Sequence, residues 1–180
     1  CIILFSPLFY VVVKEYISNS KEINRINKYT ERLSATLISQ SNNTLFYEGK
    51  VTEGAKLLTS EVTKTMGVDR CSIWLYDENK TSITCEQLYI KSTDSWQEDM
   101  ILKKQDFEPY FRALIDDPII IANDAEIHPA TKCFTDSYLK PIGIKSMLDV
   151  PIIYKGDIVG VICIENLTKR DWLDVEVNFA

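Results

Sequence analysis

Histidine is nearly absent from this chain: its 180 residues include one, His128. A catalytic histidine pair or a multi-histidine metal centre within one chain is thereby excluded. Cysteine is present but unorganised. Cys1, Cys71, Cys85, Cys133 and Cys163 form no Cys-x-x-Cys pair, so zinc-site spacing is missing, and their odd number opposes a disulfide framework. Free thiols in a reducing compartment are expected. Positive charge is also short: 20 Lys and Arg stand against 26 Asp and Glu, a formal net charge of −6. A nucleic-acid surface needs the opposite, clustered basic residues.

Enzyme signatures are lacking too. No G-x-S-x-G occurs. Gly49 and Gly54 have phosphate-loop spacing, but Ala55-Lys56 follows where Lys-Ser or Lys-Thr is required. Asp116-Asp117 stands before Pro118, in a turn rather than in a paired-acid site. Gly and Pro are few, six of each, while 46% of residues are hydrophobic and 26% charged, which suits a folded core and not disorder.

No uncharged run reaches membrane-spanning length. The longest, "CIILFSPLFYVVV" at residues 1–13, falls short of the ~20 apolar residues a spanning helix requires. Lys14, Lys21, Arg25, Lys28 and Arg32 follow it, the basic flank expected on the cytoplasmic side of a membrane helix. The run therefore reads as the cytoplasmic end of a membrane helix, or as an apolar segment buried elsewhere. A signal peptide is disfavoured because no basic region precedes it. A start at Cys1 and an end at Ala180 within a helical pattern suggest a segment of a longer protein.

What is there has clear periodicity. Residues 14–44 are polar and free of Gly and Pro, with Ile23, Ile26, Leu33 and Leu37 at heptad seam positions and Thr30 and Gln40 interrupting them. This predicts a linker helix, either a weak parallel coiled coil or a helix packed on its own domain. A second helix is predicted over 45–66, with Leu57, Leu58, Val62 and Met66 on one side and Gly67 closing it. Strands are predicted at "CSIWLY", "SITCEQLY", "PIIIAND", "SMLDVPII" and "IVGVICIEN". The last two flank Tyr154-Lys155-Gly156-Asp157, a hairpin turn. Between them and the earlier strands runs a long connection, "DAEIHPATKCFTDSYLKPIGIK", with helical pieces broken at Pro129 and Pro141. A last helix is expected from Asp171 as its cap, with Trp172, Val175 and Phe179 on one face. The fold class is α+β: an antiparallel sheet of about six strands, helices on one face, and a long helix ahead of it.

"GVDRCSIWLYDE", "ANDAEIHP", "YLKPIGIKSMLDVPI" and "GDIVGVICIEN" followed by "RDW" resemble a GAF domain, of the type found in bacterial sensor histidine kinases and diguanylate cyclases. The resemblance spans 45–180 and implies a small-molecule pocket under a lid of loop and helix on the free face of the sheet. It further implies a homodimer formed through the first and last helices, a covalently linked output domain, and a cytoplasmic location behind an inner membrane. It implies a sensory role without catalysis.

Strand alternation puts Ser72, Trp74 and Tyr76 on one face and Cys71, Ile73 and Leu75 on the other, and the first set suits a pocket. Asp124 and His128 echo the "DA..HP" of cyclic-nucleotide-binding relatives, and with Thr131, Phe134 and Tyr138 they are the implied lid. Ser146, Leu148 and Cys163 are expected to floor the cavity. The resemblance departs at three places. Cys163 replaces an acidic residue of the cyclic-nucleotide binders, and Asn166-Leu167 replaces their Asn-Lys. Cys133 is followed by Phe134, not by the His of bilin-attaching relatives, and His128 alone is a poor axial ligand for haem. Cyclic nucleotide, bilin and haem are each weakly supported. Two alternatives stand beside the sensor. One is a structural dimerisation module with an empty pocket. The other is a GAF-fold methionine sulfoxide reductase acting through Cys133, for which "EPYFRAL" lacks a resolving cysteine.

Overall fold

A computed structural model describes residues 7–41, 45, 49–116 and 119–180. Cys1 to Ser6 of the apolar run, the first residues of the helix expected over 45–66, and the Asp117-Pro118 turn lie wholly or partly outside the described residues. Helix α1 (Pro7–Ser41) runs unbroken across the boundary expected at residue 13. Among the described residues no helix is long and apolar enough to cross a membrane. Of the heptad set, Leu33 is buried against the domain, while Ile23, Ile26 and Leu37 remain exposed. Local packing thus claims one seam residue only.

Helix α2 (Val51–Met66) starts later than expected, because Lys50 holds a non-helical backbone (φ −82°, ψ 67°). Gly67 closes it as the sequence predicts: its left-handed φ of 68° lets its N–H reach the Thr63 carbonyl. The sheet follows, from β1 (Arg70–Tyr76), β2 (Ser82–Ile90), β3 (Ser95–Gln97), β4 (Ile101–Lys103), β5 (Ile120–Ala122), β6 (Ser146–Tyr154) and β7 (Asp157–Asn166). Its order is β3-β2-β1-β7-β6-β5, every pair antiparallel, with β4 on the other half of the β2 edge. Seven strands therefore fill six places across the sheet.

The β6–β7 hairpin is central, and Lys155 (φ 52°) and Gly156 (φ 88°) form its two-residue turn. Both angles are positive, the requirement of the turn whose twist matches the strands. Helix α3 (Glu108–Asp116) and the strands β3 and β4 were not foreseen: "EPYFRAL" is helical, not loop. Pro109 sits in its first turn, where its missing N–H costs nothing, and Tyr110, Phe111 and Leu114 are buried. The two strands are three residues each, too short to show a period. Pro141 is also accommodated: residues 132–142 form one continuous stretch of tight, wide and regular helical turns. The last helix, α4 (Lys140–Ile142 being counted within that stretch), spans Asp174–Phe179. Its start is at Leu173, not Asp171, because the Glu176 carboxylate accepts the Leu173 N–H at 3.0 Å.

Two cores result. On one face of the sheet Leu33, Val62, Met66, Val68, Cys71, Leu148, Ile164, Trp172 and Phe179 join α1, α2 and α4 to the strands. On the other, Trp74, Ile83, Leu88, Tyr110, Phe111, Leu114, Phe134, Leu139, Met147 and Cys163 join the strands to α3 and the long connection.

Candidate functional site

The second core is not solid. Trp74, Met100, Leu102, Tyr110, Phe134, Tyr138, Met147, Cys163 and Glu165 enclose a cavity of about 100 Å³. Strand pairing explains the floor. Arg70, Ser72 and Trp74 stand opposite Glu165, Cys163 and Val161, so all six share one face. The helical stretch 132–142 forms the roof, with the Phe134 ring tilted against Phe107 at 4.6 Å and edge-on to Tyr110 at 4.8 Å.

Of the residues expected at the site, Trp74, Phe134, Tyr138 and Cys163 meet at the cavity. Ser72 lies on the same face but is taken up by the Trp74 Nε1–H, which it accepts at 2.8 Å. Tyr76 sits further along β1, in an open cleft with Phe111 and Ile158. Asp124, His128 and Thr131 hold the connection's own backbone. Asp124 pairs with Lys169, the His128 Nδ1 accepts the Ala130 N–H at 3.3 Å, and buried Thr131 donates to the Ala125 carbonyl at 2.7 Å. They shape the lid without lining the cavity.

Ser146 and Leu148 require a correction: they face the helices. Leu148 is part of the helix-side core, and Ser146 donates to the Thr168 carbonyl at 3.0 Å. The cause is a register shift. Counting back from the turn, where Tyr154 pairs with Asp157, Leu148 would oppose Cys163. An irregularity between Ile152 and Ile153 leaves Val159 unpaired, and Asp149 opposes Cys163 instead. A slip of one residue exchanges the two faces of a strand. The same shift brings Met147 and Asp149 to the cavity side.

Sequence reasoning missed Met100, Leu102, Tyr110, Met147 and Glu165, and the charged group behind them. Glu165 could have been found by alternation from Cys163; Met147 and Asp149 could not, because the shift leaves no local signature. Arg70 Nε lies 2.9 Å from Glu165 Oε2, with both side chains buried, a separation of an ion pair without the alignment of a hydrogen bond. The Tyr138 hydroxyl donates to Glu165 Oε1 at 2.8 Å and accepts from Arg70 Nη2 at 3.1 Å. Burial raises the Glu165 carboxyl despite the opposing pull of Arg70 and Tyr138. Asp149 is fully buried and neither of its oxygens meets a donor in hydrogen-bond geometry, although Tyr110 and Cys163 adjoin it. Burial pushes its pKa up to about 7, against a partial counter-pull from those two neighbours.

Each of the four described thiols is held toward its neutral form by its environment. Burial raises Cys71, Cys163 and half-exposed Cys133, and takes Cys85 up to about 12. Cys133 also donates its S–H to the Ala130 carbonyl at 3.3 Å.

At the rim of the other face, α1 is tied to the domain by a polar clamp. The Tyr29 hydroxyl donates to Glu176 Oε1 at 2.6 Å, and Glu176 pairs with Arg170. Arg32 and Arg170 donate to the Thr65 and Met66 carbonyls, capping the end of α2.

A GAF-domain family model matches residues 52–180. The chain belongs to the GAF-domain family, a class of regulatory domains built on a sensory, ligand-binding fold. Similar solved structures include the GAF domain of an Acinetobacter phosphoenolpyruvate-protein phosphotransferase, at 16% identity and TM-score 0.62 over 84% of this chain and 85% of that one. The phycocyanobilin-bound GAF domain of a cyanobacterial phytochrome is 18% identical, TM-score 0.61, over 85% and 86%. The free methionine-R-sulfoxide reductase of Neisseria meningitidis, with its substrate, is 12% identical, TM-score 0.59, over 84% and 80%. These likenesses concern the fold. Among curated proteins no match is found.

Proposed function

We propose that this chain is the ligand-sensing module of a membrane-attached bacterial signalling protein, a sensor histidine kinase or a diguanylate cyclase. In this reading it lies in the cytoplasm behind an inner-membrane anchor and dimerises through α1 and α4. A ligand under the lid biases how those helices pack, and a covalently linked output domain reads the change. The observation that carries it is the wiring of β7. Glu165 lines the cavity while its neighbour Ile164 lies in the helix core, and β1 repeats the arrangement with Arg70 and Cys71. A movement of the buried pair is thereby passed through two backbones to the face that holds α1. Exposed Ile23, Ile26 and Leu37 leave a seam for a second copy.

The cavity, at about 100 Å³, is smaller than the ~150 Å³ space that accepts benzene in an engineered core. A tetrapyrrole or a purine nucleotide does not fit it, and Cys133-Phe134 lacks the attachment pair of bilin carriers. Small volume also favours the second reading, a dimerisation module without ligand. The reductase reading has the fold likeness in its favour and the raised thiols against it.

One screen separates these. A ligand binding only the folded state at a hundredfold over its Kd adds about 2.7 kcal/mol to stability, seen as a rise in Tm. A sensor gives such a rise with some small metabolite, and sedimentation shows a dimer that is lost when residues 7–41 are deleted. A stable dimer with no rise for any compound at millimolar concentration removes the sensing role. Thiol-dependent turnover of methionine sulfoxide, lost in Cys133→Ser, establishes the enzyme instead.

A further inference from the structure

Independently of the lid-face cavity, we infer that the cleft between α1 and the start of α4 binds a phosphate dianion. The phosphate is carried by a compact, partly apolar body, either a soluble ester or a lipid headgroup.

The space is adequate for such a ligand. Arg25, Lys28, Tyr29 and Arg32 of α1 face Arg170 and Leu173 across an open cleft of about 540 Å³. That volume is several times that of the lid-face cavity and falls in the ~300–1,000 Å³ range of small-molecule sites.

Charge defines what enters. Arg25, Lys28 and Arg32 are three and four residues apart, which puts them on one side of α1, and Arg170 lies opposite. Four cations thus line the cleft against one carboxylate, that of Glu176, in a chain whose net charge is −6. Glu176 does not repel an incoming anion from the surface, because it is fully buried and both of its oxygens are engaged. Oε1 accepts from Tyr29 and pairs with Arg170, and Oε2 accepts the Leu173 N–H.

The cations themselves are incompletely neutralised. Arg25 has Glu22 and Arg170 has Glu176. Arg32 donates only to the neutral Thr65 carbonyl, and among the described residues neither Arg32 nor Lys28 pairs with a carboxylate. Hydrogen bonds engage only the Nη2 of Arg32 and of Arg170, so the Nε–H and Nη1–H donors of both remain for a ligand. Two cations without countercharge match the roughly −1.5 to −2 of a phosphate monoester, and guanidinium forks match its oxygens. A carboxylate carries about half that charge. Ile26, Met66 and Leu173 give the apolar body a surface to lie on. Binding adds a tie between α1 and α4 beside the Tyr29–Glu176 clamp.

The arginines give the readout. Arg25, Arg32 and Arg170 line the cleft, whereas Arg70 is buried beneath the lid and Arg112 is exposed on α3, so these two serve as references. With isotope-labelled arginine, the full chain is titrated with phenyl phosphate and with benzoate, which share a ring and differ in charge. Phenyl phosphate is expected to shift the Arg32 and Arg170 Nε–H signals saturably, at least tenfold more tightly than benzoate, with Arg70 and Arg112 unmoved. Lys28→Gln should weaken that binding several-fold and Arg112→Gln should not. Lys28 takes no part in the clamp, so its loss leaves the fold intact for the test. Vesicles of phosphatidylcholine, with and without phosphatidic acid, identify the source. Sedimentation that requires phosphatidic acid and weakens in Lys28→Gln assigns the phosphate to a headgroup; phenyl phosphate binding with inert vesicles assigns it to a soluble ester. Benzoate binding as tightly as phenyl phosphate overturns the inference. So do equal shifts at Arg112, or phenyl phosphate silent at millimolar concentration with vesicle binding absent or indifferent to Lys28→Gln. None of these outcomes touches the lid-face reading, which the thermal screen decides.

Discussion

The two faces of the sheet solve burial in opposite ways. Against α1, α2 and α4 the strands place Cys71, Leu148 and Ile164 among Val62, Met66 and Phe179; the buried hydroxyls Thr59, Thr63 and Ser146 each donate to a backbone carbonyl, and at the rim Tyr29, Arg170 and Glu176 satisfy one another. Beneath the lid the same strands carry Arg70, Glu165 and Asp149 into the interior beside a hollow. The helix face supplies stability at ~25 cal/mol per Å² of apolar area buried. The lid face gives part of it back. Apolar residues of similar volume at these three positions would serve stability at least as well.

The largest expected effect tests whether the lid-face charges are held by each other. Arg70→Ala leaves Glu165 buried without its countercharge, and should destabilise by roughly 3–5 kcal/mol, read as a lower denaturant midpoint at unchanged m. A loss under ~1 kcal/mol means the pair is not buried in solution, and the contrast between the faces fails.

Next comes Asp149. Its folded pKa of about 7 exceeds the ordinary 3.8, so the folded state keeps a proton that the unfolded state has released between those values. Stability is therefore greatest below pH 3.8 as far as this group is concerned, falls as pH rises, and is fully reduced above about 7. The reduction is at most about 4 kcal/mol at 1.36 kcal/mol per pH unit. Asp149→Asn should flatten the dependence of Tm on pH between 5 and 8 and raise Tm at pH 8. An unchanged pH profile refutes the burial of an uncompensated acid there.

The smallest effect belongs to the helix face. Tyr29→Phe removes a rim hydrogen bond to a carboxylate and should cost roughly 1–2 kcal/mol. Hydrogen exchange should quicken in α1 and remain unaltered in β1 and β7, since Leu33 still anchors the helix. Exchange quickening across the sheet would show that the clamp supports both faces alike.

The contrast was half legible in the sequence. Alternation along β1 placed Trp74 correctly because nothing interrupts its pairing with β7. The hairpin turn and the Gly67 stop were legible because each requires a backbone angle few residues tolerate. The lid's hydrogen bonds were not, since Asp124 and Thr131 act on nearby backbone and leave no period behind them. Helix α3 was hidden for another reason: nine residues with three buried give less than three turns of pattern. The charged interior was least legible of all, because it depends on which residue of β6 meets Cys163, and that depends on an unpaired residue ten positions further along the hairpin.

That unpaired residue has a practical corollary. Remove Val159 and the two arms of the hairpin would still mesh as they do beyond it, Ile152 opposite Gly160 and Asp149 opposite Cys163, because an unpaired residue has no partner to displace. In such a scaffold a spare residue is absorbed where it stands, so a one-codon deletion there straightens the hairpin near its turn and leaves the wall of the chamber as it was.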